Sequence, residues 1–519
     1  MSEFNLLDEK WIPVIDNDCN NLNVSILELF KNASKYISIA GDTEVQTISI
    51  TRFLLSILQT VFSRFDENGE EYGYFGLNDM FKQKTEIDPN VIEDYVNDLN
   101  KAWINLLEMK SFPKIVEIYL NKYHDRFYLY DDEYPFYQVS SNIWEDFNVI
   151  SMGKQNAKPS NIPFKKINGK FYESNSLRMF NVNDEKAKNK MSDSELARWI
   201  ITYQNYSNTS DKAVFDGVSK KSYGWLYKIT TMSLRGSNVF ETLMLNLVLV
   251  HPVKEFVGNS QKPCWEESSN KIITKNIKGY VPDNLAELYN TYSRAIRISN
   301  NSLDVCKLSL IEPIKLESMA ILRYKEKEDI YNTIKVRNSY SLWQILFLIS
   351  KGLYETPVIL ENLLKYSENI DLKDIKIDMV TLIDDGNALS YVPKEEIFSS
   401  FNVNVLDLLN KDSDLYKTLE YCYTVVQNYN NFLYKIAQLN RYDDKSSKGY
   451  IEKKLEPLYF YVDRELSADI ELEDFRKDFK MFALHQIKEF SARKDCLEMY
   501  ANLVKYIDFK RKEEKENEE

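Results

Sequence analysis

Seven residues near the C-terminal end, Leu415, Leu419, Cys422, Val426, Tyr429, Leu433 and Ile436, recur at alternating intervals of four and three. A long helix puts all seven on one side, and a side that apolar must be covered by other elements. Three further helical segments follow closely, at about 446–466, 472–490 and 494–510. Short connections favour antiparallel neighbours, so the pattern predicts an up-and-down four-helix bundle over 399–510, with a charged, frayed tail at 511–519. Residues 1–398 read as one large mixed α/β domain, which makes the fold class α+β.

Within that larger part, two helices are legible from their ends and periods. Thr43 with Gln46 opens a helix whose buried stripe is Ile50, Leu54, Leu58, Val61 and Phe65. Ser192 with Glu195 is a second capping box, opening a helix through Leu196, Trp199, Ile200 and Tyr203. A further helix is expected over 91–109, a short strand packed by Trp11 near the N-terminus, and strands at 126–130 and 292–298. An almost wholly apolar helix is expected within 233–250, the longest apolar run in this reading. At 239–250 it is too short to span a bilayer and is broken by Glu241, Thr242 and Asn246.

Composition removes several function classes. The five cysteines are scattered and never at CxxC spacing, which argues against a zinc knuckle and a disulfide framework. Three distant histidines offer little for imidazole catalysis or a His-rich metal site, and His251 before Pro252 reads as a structural cap. No leader-like segment opens the sequence, so the reading is of a soluble, cytoplasmic protein with no membrane partner. The net charge of −13 means that any nucleic acid must be met by a local basic surface or with basic partners.

Three stretches carry such local signals. Residues 151–190 hold nine Lys or Arg against three acidic residues, interleaved with Phe164, Phe171, Tyr172 and Phe180. This is either a solvated loop or one that faces phosphates and bases. Residues 215–224, FDGVSKKSYG, are small and basic, a composition that lets backbone N–H groups approach a phosphate or a groove. They lack the Walker and GxGxxG spacings, so no nucleotide cofactor is expected. Residues 375–393, IKIDMVTLIDDGNALSYVP, read as a strand, a tight turn at Asp385-Gly386 and a return strand over 387–392 ended by Pro393. That makes either an ordinary surface hairpin or a stiff wedge.

Six stretches in order then carry a resemblance: FNLLDEKWIPV at 4–14, AGDTEVQTISITRFLLSILQ at 40–59, YPFYQ at 134–138, ARWIITYQNY at 197–206, RGSNVFETLMLNL at 235–247 and YNTYSRAIRI at 289–298. Together the set resembles the CasA family, the large subunits of type I-E CRISPR Cascade surveillance complexes. The resemblance implies a mixed α/β domain plus a bundle, in a subunit that reads the protospacer-adjacent motif (PAM) of double-stranded DNA from the minor groove. It also implies opening of the first base pairs and recruitment of a helicase-nuclease. The partners implied are CRISPR RNA, duplex target DNA, the other Cascade subunits and that helicase-nuclease.

Carried onto this sequence, the minor-groove loop falls on Asp216, Gly217, Val218, Ser219, Lys220, Lys221 and Ser222. The wedge falls on Asp384, Asp385, Gly386, Asn387 and Ala388. The loop touching the CRISPR RNA handle falls on Phe180, Asn181 and Asn183, and Lys307 stands as the candidate PAM lysine. The chain departs from the family in having no tip glutamine, so Asn387 or a neighbour must serve. Its groove loop is richer in lysine, and the zinc cysteines of some members are missing. No catalytic residue, metal or cofactor is implied. The rival readings are a scaffold subunit without DNA contact and a metal-dependent nuclease using Asp384 and Asp385. Neighbouring strand residues point to opposite faces, which opposes the second.

Overall fold

The computed structural model describes residues 4–169, 190–208, 211–218, 220–258, 261–334, 341–370, 375–383, 395–466 and 471–508. They form two compact units. One comprises Met1–Lys335, Pro357–Asp371 and Val380–Phe398; the other comprises Val336–Thr356, Leu372–Met379 and Ser399–Glu519. The division is therefore not one cut near residue 398.

The first unit is built around the helix Glu44–Phe62. Thr43 caps it by accepting from the Gln46 N–H, while the Gln46 side chain accepts from Asp42 N (2.9 Å), one residue ahead of the cap. The expected stripe is buried, but so is nearly everything else: 17 of the 19 helical residues are inside. Its hydroxyls tolerate this by bonding back along the helix, Ser49 to Val45 O, Ser56 to Phe53 O and Thr60 to Ser56 O. By length and composition this helix could cross a membrane, and its burial shows it is a core helix here. The run expected to be longest yields only Val239–Asn246, capped by Asn238.

Against this helix pack the helices Asp193–Tyr206 and Leu285–Tyr289, and the same unit holds the helix Ile92–Met109 and a three-stranded antiparallel sheet with Ile12–Asp16 between Asn21–Val24 and Tyr36–Ile39. Trp11 is fully buried at the sheet's start and donates to Leu6 O. The Ser192–Glu195 capping box is complete on the helix Asp193–Tyr206. A mixed sheet runs in the order Val149–Ser151, Ala213–Phe215, Ser302–Lys307, Ser160–Pro163, with Arg294–Ser299 also paired to Ser302–Lys307. The strand expected at 126–130 is absent. A 3-10 turn at His124–Arg126 closes i to i+3 bonds, leaving one bridge between Asn5 and Tyr128.

A third sheet has Lys376–Ile383 between Glu395–Phe401 and Thr231–Arg235. The return strand expected over 387–392 and its end at Pro393 lie outside the described residues.

In the second unit the seven stripe residues are all buried on Asp414–Leu439, which packs on Asp444–Glu465, Leu472–Ile487 and Leu497–Ile507 to form the four-helix bundle. The helix Leu342–Ser350, buried at every position, also packs on the first two of these. At its N-terminus Trp343 N donates to Asp463 Oδ1 (3.2 Å), and Ser399 and Ser341 side chains bond the same carboxyl. Burial pushes the Asp463 pKa up to about 7, against the hydrogen bonds from Trp343, Ser399 and Ser341.

A raised carboxyl pKa means the folded chain keeps a proton that the unfolded chain loses near pH 4, so this residue lowers stability as pH rises from about 4 to about 7. Asp463→Asn removes that component. Thermal melts across the window should show a flatter pH dependence for the variant than for the parent, and identical slopes would contradict the assignment.

Candidate nucleic-acid interface

The loop at 216–222 is held at both ends. It leaves the buried strand Ala213–Phe215, and Asp216 N donates to Asn148 O (2.9 Å). Gly217 has φ +91°, and a Cβ there would lie 2.9 Å from Ile277 Cγ2, so the turn needs glycine both for its backbone and for its space. Asp216 and Gly217 are exposed and Val218 is half-buried; Ser219 lies outside the described residues.

Lys220 and Lys221 are exposed, yet their backbones are fixed. Lys220 O accepts from Leu310 N (2.9 Å), and Lys221 bridges Ser309. The Lys220 ammonium lies 2.5 Å from Glu312 Oε1, a solvent-exposed pair of the kind that contributes little and yields readily to a phosphate.

Ser222 is buried rather than available to a ligand. Its N–H donates to Leu308 O, its hydroxyl donates to Ser293 O (2.6 Å), and it accepts from Arg294 Nη1 (2.8 Å). Arg294 itself is fully buried, 3.1 Å from Asp211, and also donates to Ser222 O (3.0 Å) and Asn208 O. This floor sets the loop's exit. Gly224 then passes so close to Asn205 that a Cβ would clash with its backbone, and Trp225 Nε1 donates to the buried Glu317.

Lys307, the candidate PAM lysine, is 4% exposed on Ser302–Lys307, paired with Arg294 and Val214. Burial lowers its pKa; Asp211 opposes this, while Arg294 and Lys221 add to it. The structure places Lys307 beside the loop, with Ser222 and Lys307 in the floor and Lys220 and Lys221 at the surface. Glu312 was missed because 92 residues separate it from Lys220 and nothing local marks it.

The wedge residues Asp384, Asp385, Gly386, Asn387 and Ala388, and the handle residues Phe180, Asn181 and Asn183, lie outside the described residues. The strands on either side of 384–394 are described. Met379 to Ile383 are all buried, and Glu396 accepts from Glu44 N (2.8 Å) at the N-terminus of the core helix. That long-range bond, across 352 positions, was also invisible locally. Among the described residues no group of three or more His, Cys, Asp or Glu is placed to hold a metal ion.

Residues 5–456 match the family described as CRISPR-associated protein Cse1, and the chain belongs to that family. A curated relative, CRISPR-associated protein CasA/Cse1 of Thermus thermophilus, is 23% identical over 267 residues, covering 51% of this chain and 42% of that protein. In structure the chain is similar to Thermobifida fusca Cse1 (TM-score 0.65, 18% identity, 98% of each chain). It is also similar to Thermus thermophilus CasA (0.64, 16% identity, 98% and 99%). A chain of a CRISPR RNA-guided surveillance complex gives 0.62 at 13% identity, covering 98% and 99%.

Gly217→Ala should cost about 1–3 kcal/mol, because both the positive φ and the Ile277 contact oppose a Cβ. Adding Ile277→Ala should return the steric part only. Urea denaturation of the single and double variants measures this, and a single variant as stable as the parent would contradict the geometry.

Proposed function

We propose that this protein is the large subunit of a Cascade-type RNA-guided complex, and that it tests duplex DNA for a PAM through the loop at 216–222. The observation that carries the reading is two adjacent exposed lysines on a backbone pinned to a buried Arg294–Asp211 floor. Family membership supports the setting, as does the likeness to a chain of a surveillance complex.

In this reading Lys220 and Lys221 take backbone phosphates, while Asp216 to Val218 lie along the minor groove. The groove offers a degenerate pattern, so a small loop reads it permissively. The segment 384–388 then acts as the wedge, with Asn387 at its tip. Unstacking a step costs a few kcal/mol, recovered as guide RNA pairs with the target strand. Heteroduplex and lost duplex are nearly balanced, so a local push decides where opening starts. Residues 180, 181 and 183 face the CRISPR RNA handle, and the helicase-nuclease is recruited once the target is open. The work is mechanical and needs no catalytic residue, cofactor or metal.

Lys220→Gln with Lys221→Gln should weaken binding of the assembled complex to duplex targets and reduce the log–log salt slope by about 2. A target with a pre-opened seed should be less affected. Unchanged duplex binding would leave the scaffold reading in its place.

Shortening 384–388 should spare the first encounter with DNA and slow strand opening, read by fluorescence of a base analogue beside the PAM. Equal losses on closed and pre-opened targets would remove the wedge assignment.

A further inference from the structure

One turn in the mixed sheet carries a residue that its backbone conformation does not favour. Ser151 and Lys154 exchange both backbone hydrogen bonds (3.1 and 3.0 Å) across Met152 and Gly153, which have φ of +52° and +81°. This is the two-residue hairpin turn whose first position favours Asn, Asp or Gly, since other side chains crowd their own backbone there. The same sheet contains a second such turn, and there the two positions are Asn300 and Asn301. Met152 departs from that chemistry, and at 76% exposure it buries almost nothing in return. A strained, exposed apolar residue on a rigid turn points to a contact made outside the fold.

Its surroundings say of what kind. Lys154, Lys158 and Lys212 are all exposed, and Lys212 Nζ lies 3.9 Å from Met152 Sδ. Among the described residues no ion pair engages Lys154, Lys158 or Lys212. The register sets the distance to the 216–222 loop. Ser151 pairs with Ala213 and Val149 with Phe215, so Met152 lies level with Lys212, four residues along the strand from Asp216. At strand rise that is roughly 13 Å, about the length of four stacked base pairs.

We propose that the Met152–Gly153 turn is a second contact for duplex DNA. Met152 enters a groove as an apolar tip, and Lys154, Lys158 and Lys212 take the flanking phosphates. A duplex laid along the strand meets this tip at one end and the lysine loop at the other. The inference rests on the reading of that loop as facing DNA. Apolar tips with basic flanks are a physically sound pairing, because the tip gains from leaving water only where the cations hold the backbone close.

Met152→Asn separates fold from contact, since it installs the residue the turn prefers and removes the tip. With the full chain and a fluorescent duplex, Met152→Asn should melt at or above the parent temperature and bind roughly tenfold more weakly. The triple change of Lys154, Lys158 and Lys212 to Gln should lower the salt slope by about 2.7. Parent-like binding by both variants overturns the proposal. If Lys220→Gln with Lys221→Gln is weakened in that same series, the loop reading survives alone. If Met152→Asn is weak while the loop variant binds normally, the tip stands and the loop reading falls. A loss seen with CRISPR RNA but not with the duplex overturns duplex DNA as the occupant.

Discussion

Arg52 and Glu317 face each other at zero exposure, joined by two hydrogen bonds of 2.6 and 2.9 Å. Two charges so deep are tolerable when they are paired this closely, and both terminal guanidinium nitrogens are answered although Arg52 Nε is not. Burial alone would raise the Glu317 pKa; Arg52, Met319 N–H and Trp225 N–H together hold it below the usual carboxylate value. Arg52 also lies 4.1 Å from the Tyr289 ring centre. The pair therefore fixes three things at once: the rotation of the core helix, the path of the chain around residue 317, and the position of Trp225. Because Trp225 follows the lysine loop directly, an electrostatic bond in the core decides where a surface loop ends.

The same construction recurs nearer the surface. Arg294 and Asp211 are as deeply buried, and the arginine spends its remaining donors on Ser222 and Asn208. Removing one member of such a pair leaves the other uncompensated, at about 3–5 kcal/mol. Rigidity at the loop thus comes from ion pairs beneath it. A chain of net charge −13 can still present cations locally, as it does with the adjacent exposed Lys220 and Lys221.

How much of this was legible depended on distance along the chain. The Ser192–Glu195 box and the Leu415–Ile436 stripe are local signals, and both elements formed as read. The loop at 216–222 was legible by composition, but not the split between its surface lysines and its floor, which depends on strands roughly 70 or more residues away. Lys307 illustrates the limit: in a list of residues it is a cation, and in the sheet it is an interior one. Glu396 reaching Glu44, and Glu312 reaching Lys220, are contacts that only tertiary structure creates. Met152-Gly153 escaped notice because turn chemistry is recognised by Asn-Gly or Asp-Gly, and the physical interest lies in the departure.

The interleaving of the two units has an implication for how the chain is made. As residues emerge in order, the first unit stays incomplete until Val380–Phe398 has been synthesised, and the helix Leu342–Ser350 waits for Ser399–Glu519 before its own unit exists. The first unit can therefore close once residue 398 is made, while 336–356 and 372–379 stay unpartnered until the bundle follows. A fragment cut at 399 would carry the bundle with the seat of that helix laid bare, an apolar surface inviting aggregation.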